Sequence, residues 1–153
     1  MNALLSVSVD DPRWRRALRG PETVVRRAAN AALDGAQARG EIRYVLAGDT
    51  LLRSLNHDFR GLDKPTNVLS FPDETPGTLG DVALAYETCA AEARAQGKAL
   101  GAHLAHLVVH GTLHLLGWDH ETVPEALAME ARERRVLRRL RIADPYRVHQ
   151  VRE

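Results

Sequence analysis

The stretch His110-Gly111-Thr112-Leu113-His114-Leu115-Leu116-Gly117-Trp118-Asp119-His120 holds three of the chain's seven histidines. Apolar spacing predicts a helix over 99–116, so His110 and His114 stand at i and i+4. Four residues turn ~400°, which puts the two rings on one face about one turn apart. Gly117 suits the left-handed conformation that stops a helix. The chain then turns back, and His120 offers a third imidazole from outside the helix. Three imidazoles so spaced fit one zinc ion at ~2.0–2.1 Å and leave its fourth position open, the mark of a catalytic site rather than a closed structural one.

The other histidines read differently. His106 extends the same stripe but lies about 12 Å from His114 along the axis, too far to share an ion with it. It is read as a packing residue or a support for a ligand ring. His103 is expected to be exposed. His57 and His149 have no partner in the sequence. The spacing H-x3-H-x2-G-x2-H also matches the zinc motif of metzincin peptidases, except that those enzymes carry a glutamate base where this chain has Gly111. A metzincin-like metal site is therefore expected without metzincin peptide chemistry.

Working outward, strands and helices are mixed along the chain. Leu5, Val7 and Val9 alternate with Ser6 and Ser8 as a half-buried strand. Gly20-Pro21 opens a helix through Val24, Val25, Ala28, Ala32 and Leu33, with Gly40 after its end. Ile42 to Ala47 reads as a second strand. Asp49 caps a short helix carrying Leu51, Leu52 and Leu55. Asn67 to Phe71 and Asp81 to Tyr86 read as two further strands, separated by a Pro/Gly loop. Helical patterns follow at 87–96, 99–116 and 124–141. The expected class is an α+β or α/β sandwich of about four strands and about five helices rather than a bundle.

Composition bounds the function. The chain has 153 residues, the size of one domain, so residues 1–153 are read as a single unit. Its net charge of +1 excludes a polycation holding nucleic acid by bulk charge. Charge is segregated all the same, with a net +3 over residues 1–40, −5 over 41–124 and +3 over 125–153. Cys89 is the only cysteine, so any metal must be held by histidine and carboxylate. No signal peptide or ~20-residue apolar span is read, and a cytoplasmic protein without membrane contact is expected.

Three ordered motifs resemble those of the YbeY family, the zinc-dependent bacterial endoribonucleases also called rRNA maturation factors. The first runs from Leu55 to Pro72 and contains Phe59-Arg60-Gly61-Leu62-Asp63-Lys64-Pro65-Thr66-Asn67-Val68-Leu69-Ser70-Phe71-Pro72. The second is Leu79-Gly80-Asp81-Val82. The third is the histidine stretch. Asn67 stands where Asp is usual in that family, and Trp118 where Tyr is usual. The resemblance implies one Zn²⁺ on His110, His114 and His120, with Arg60 and His114 as catalytic residues. It implies an α+β fold in which a small mixed β-sheet of about four strands packs with about five helices and the metal helix lies centrally. It also implies a single-strand-specific endoribonuclease acting on ribosomal RNA, at the 3′ end of the small-subunit RNA and in ribosome quality control. The partners expected are the small ribosomal subunit, with ribosomal proteins or an assembly GTPase; DNA is not expected.

Chemistry assigns further roles. Arg60, in a Gly- and Pro-containing loop, can grip a phosphate bidentately. Lys64 is either a phosphate contact or a solvated charge. Asp119 and Glu121 flank His120; Asp119 acts as a base, caps the turn or orients a ligand ring. Asp81 holds the substrate loop or a ligand ring. Ser70 and Thr66 lack an adjacent base and are not nucleophiles. Arg132, Arg134, Arg135, Arg138, Arg139 and Arg141 crowd the last helix, whose apolar positions are Leu127, Val136, Leu137 and Leu140. Arg13, Arg15, Arg16 and Arg19 crowd the N-terminal region. Either set guides RNA or is a solvated face. With seven aromatics, shape and phosphate contacts are expected to outweigh base stacking. Two other classes remain open: a non-catalytic ribosome-assembly factor with structural zinc, and a metal-dependent peptide hydrolase.

Overall fold

Residues 3–64 and 66–146 are described by a computed structural model; His149 lies outside them. In chain order the elements are β1 (Ala3–Val9), α1 (Arg13–Ala17), α2 (Pro21–Leu33), β2 (Gly40–Ala47), α3 (Asp49–Arg60), β3 (Val68–Pro72), β4 (Thr78–Ala85), α4 (Tyr86–Ala95), α5 (Leu100–Leu115) and α6 (Val123–Arg139). The strands form one mixed sheet in the order β1-β2-β4-β3. β1–β2 and β2–β4 pair in parallel, and β3–β4 antiparallel. This is the α+β class expected.

Strand alternation sorts side chains onto two cores. Ile42, Tyr44 and Leu46 of β2 and Val82 and Leu84 of β4 face the larger core, with buried residues of α2, α5 and α6. Ala47, Leu69, Ala83 and Ala85 face a smaller core under Leu52 of α3. Covering on both faces is why Ala83 and Ala85 are buried like the alternating Val82 and Leu84.

Helix α5 is buried on most of its circumference, from His103 to Leu113. Gly111 packs directly against β3 and β4. A Cβ there would lie 2.8 Å from Val82 Cγ1 and 2.9 Å from Ser70 Oγ. The Ser70 hydroxyl donates to the Gly111 carbonyl at 3.1 Å, tying β3 to the helix beside His110.

Several expectations are corrected. A sixth helix, α1, holds Trp14, whose indole N–H donates to the Ala47 carbonyl at 2.9 Å. Trp14 is its single buried residue, so no apolar period marks it. Gly40 opens β2 rather than following α2, which stops at Leu33. The helix after Asp49 runs on to Arg60, because Gly61 with φ 69° supplies its left-handed cap. Arg60 is therefore a helix-terminal residue and not a loop residue. Helix α6 stops at Arg139, leaving Arg141 beyond it at φ 61°. Leu127 is 60% exposed, and Met129 fills the core position instead.

Candidate metal centre

The end of α5 folds as its sequence dictates. Gly117, at φ 100°, donates its N–H to the His114 carbonyl, and Trp118 donates to the Leu113 carbonyl. These paired bonds satisfy the last carbonyls and turn the chain back. Three residues later His120 faces the helix it has left. Thr122 then starts α6 with a reciprocal capping box to Glu125.

One nitrogen from each of His110, His114 and His120 lies within 4.8 Å of the others. Ring centroids are 4.8 Å apart for His110–His114 and His114–His120, and 5.5 Å for His110–His120. Burial, then the neighbouring His110 and His120, keep the His114 pKa below the usual imidazole value. A neutral imidazole is the form that donates a lone pair to a metal.

Glu133 of α6 supports this cluster and is 1% exposed. One carboxylate oxygen lies 3.1 Å from His110 Nδ1; the other lies 2.7 Å from His106 Nε2 and accepts from the Tyr146 hydroxyl at 2.7 Å. Burial pushes the Glu133 carboxyl up, but the hydrogen bonds from His106 and His110 outweigh it and hold it at about 2. A carboxylate only accepts, so His110 carries its proton on Nδ1 and keeps Nε2 free for an ion. Converging nitrogens with one tautomer fixed by a buried carboxylate fit a divalent metal. Sequence reasoning missed Glu133, which reads as one more charge in an Arg/Glu-rich helix. Its signal is spacing: Met129, Val136 and Leu137, at −4, +3 and +4, are all buried, so Glu133 lies on the core stripe.

The histidines line a cleft of about 510 Å³ together with Arg60, Ser70, Trp118, Asp119 and Glu121. Arg60 thus reaches it from the last turn of α3. Asp119 Oδ1 accepts from the His120 N–H at 2.7 Å, which fixes the turn that aims His120. Lys64 is exposed and does not line the cleft. Asp81 pairs with Arg43 at 2.8 Å across β2–β4 and lines a neighbouring groove instead.

Asn67, also in the cleft wall, donates to Glu92 at 3.0 Å, and Glu92 lies 2.8 Å from His103 Nε2. His103 is consequently buried, 4% exposed, contrary to expectation. His106 supports Glu133, as its stripe position suggested, and His57 is exposed. Arginines at both ends are partly engaged by acids: Arg13 with Asp11, Arg15 with Glu22, Arg134 with Asp144 and Arg139 with Asp34. No helix among the described residues is long and apolar enough to cross a membrane.

The family profile described as Endoribonuclease YbeY matches residues 13–141. A protein of that name from Rhodopseudomonas palustris BisA53 is 51% identical over 137 residues, covering 82% of this chain and 80% of its own. Another from Paramagnetospirillum magneticum is 48% identical, covering 93% and 94%. A solution structure of a Thermotoga maritima protein, 21% identical, superposes with a TM-score of 0.56 over 93% of this chain and 98% of its own, which shows the shared fold. The chain belongs to the YbeY endoribonuclease family.

Proposed function

We propose that this protein is a zinc-dependent endoribonuclease that cuts single-stranded regions of ribosomal RNA. Its setting on this reading is the cytoplasm, in maturation of the small-subunit RNA 3′ end and in ribosome quality control. Ribosomal proteins or an assembly GTPase are the partners in that setting. The observation that carries it is the convergence of His110, His114 and His120 in one cleft with Arg60, in a chain of this family.

The three histidines would hold the ion, which when bound supplies Lewis-acid polarisation of a phosphate oxygen. Arg60 grips the scissile phosphate through its forked guanidinium and offsets the charge that develops there. Asp119 keeps His120 aimed, and Glu133 keeps His110 in the metal-binding tautomer. Lys64, exposed beyond the cleft, is at most a peripheral phosphate contact, and Asp81 is taken up by Arg43.

Neither alternative fits as well. A structural zinc would be closed off by protein, whereas these histidines line an open cleft. Peptide hydrolysis of the metzincin kind needs a carboxylate at position 111, where the approach to Val82 and Ser70 leaves no room for a side chain.

The test is cleavage of single-stranded and duplex ribosomal RNA fragments by purified, zinc-loaded protein. Wild type is expected to cut the single-stranded fragment, and Arg60→Glu to lose at least a hundredfold while keeping its fold and metal. Unchanged cleavage in Arg60→Glu, or no cleavage by wild type, contradicts the reading.

A further inference from the structure

A second groove of about 510 Å³ lies on the other face of β3 and β4, beside α3. It shares Arg60, Ser70 and Pro72 with the histidine cleft, so the two adjoin. Its apolar lining includes both phenylalanines of the chain, Phe59 and Phe71. Their ring centroids are 5.2 Å apart with planes tilted by 55°.

Phe59 is 69% exposed although it stands one residue from Arg60. The ring does not stand alone: with Leu51, Leu55 and Phe71 it lines one apolar groove beside the cleft, where a flat apolar ligand can cover it. The groove's charge narrows the choice. Asp73 and Asp81 line it, and Asp81 is balanced by Arg43 at 2.8 Å. Asp73 and Asp81 set against Arg43 and Arg60 leave the rim with little net charge, which suits an uncharged aromatic base. The cation at the junction is Arg60, where the phosphate next to such a base would fall.

We propose that Phe59 and Phe71 form a base-stacking subsite that takes one unpaired nucleotide base adjoining the phosphate held at Arg60. This rests on the ribonuclease reading above and extends it to the selection of single strands. A base within a duplex is already stacked and paired and cannot enter the groove; an unpaired base can lie on the Phe59 ring. Composition alone points away from stacking, yet the fold gathers both phenylalanines in one groove beside the cleft.

The experiment measures binding of a short fluorescent single-stranded RNA, and of a hairpin duplex, to zinc-loaded protein, alongside steady-state cleavage. Phe59→Ala is expected to weaken single-strand binding about tenfold and raise KM similarly, with kcat and hairpin binding unchanged. Phe59→Tyr restores affinity to within about twofold, whereas Phe59→Leu stays as weak as alanine. The high exposure of Phe59 predicts an unchanged urea midpoint in all three, which serves as the folding control. Wild-type affinity in Phe59→Ala, or full rescue by leucine, overturns the subsite while leaving the ribonuclease reading intact. Wild type that neither binds nor cuts RNA overturns both. Self-association of wild type that is lost in Phe59→Ala at unchanged RNA affinity assigns the groove to a second copy and overturns the subsite.

Discussion

His110 Nδ1 lies 3.1 Å from one oxygen of Glu133, whose other oxygen lies 2.7 Å from His106 Nε2. A single buried carboxylate therefore couples α6 to two rings of α5, one of them in the histidine cluster. Removing it strands two half-buried imidazoles and the Tyr146 hydroxyl. Glu133→Ala is expected to cost about 3 kcal/mol in urea unfolding of the metal-free protein. Glu133→Gln, which keeps the shape but not the charge, is expected to lower zinc affinity by about 10–100-fold in a chelator competition. Unaltered zinc affinity in Glu133→Gln would show that the carboxylate does not orient His110.

Gly111 and Gly101 lie on the same helix and predict opposite responses to alanine. At Gly111 the new methyl meets Val82 and Ser70 at under 3.0 Å, and Val82 is fully buried. Overpacking costs about 1–3 kcal/mol, while the helix-propensity gain is about 1 at most, so Gly111→Ala should destabilise by about 1 kcal/mol or more. At Gly101 the nearest atom is Leu18 Cδ2 at 3.6 Å, an ordinary contact. Gly101→Ala should be neutral or stabilising by up to about 1 kcal/mol. Paired thermal unfolding scans check both, and a stabilised Gly111→Ala would contradict the packing.

Tyr44 donates to the Thr112 hydroxyl at 2.7 Å inside the core, and Thr112 donates onward to the Val108 carbonyl. Tyr44→Phe leaves Thr112 with that carbonyl, so the loss should be about 1 kcal/mol near neutral pH. Burial pushes the Tyr44 pKa up to about 12, against about 10 when unfolded. The folded state keeps its proton where the unfolded state releases it, so the contribution is intact below pH ~10 and falls as pH rises toward 12. Urea midpoints of wild type and Tyr44→Phe should converge over that interval; a constant gap would place Tyr44 in a more polar setting.

What the sequence made legible follows from the range of the interactions. His110, His114 and His120 are set by helical period and one glycine stop, both local, so their convergence was readable. The two-faced strands were readable for the same reason. Glu133 and His103 were not, because each is buried by a partner on another helix 23 or 11 residues away. Without that partner a Glu or His reads as surface. Arg60 reads as a loop residue because Leu55, the last leucine of α3, falls more than a turn before the left-handed cap at Gly61. Helix α1 has one buried side chain and hence no period to detect.

Trp118 lines the cleft at 37% exposure, whereas the chain's other tryptophan, Trp14, is fully buried. Intrinsic fluorescence should therefore respond to RNA through Trp118 alone. Titration with single-stranded RNA is expected to quench wild type and leave Trp118→Phe unchanged. An equal response in Trp118→Phe would place the bound strand away from the histidine cleft.

The central claim is that one metal, held by three histidines, makes this cleft a ribonuclease. Its most direct measurement is metal content and RNA cleavage on the same preparation, comparing wild type with His114→Ala. The account predicts about one zinc per wild-type chain with cleavage, and loss of both in a His114→Ala protein that still unfolds cooperatively. A His114→Ala protein that lacks zinc yet cuts RNA at the wild-type rate would contradict it.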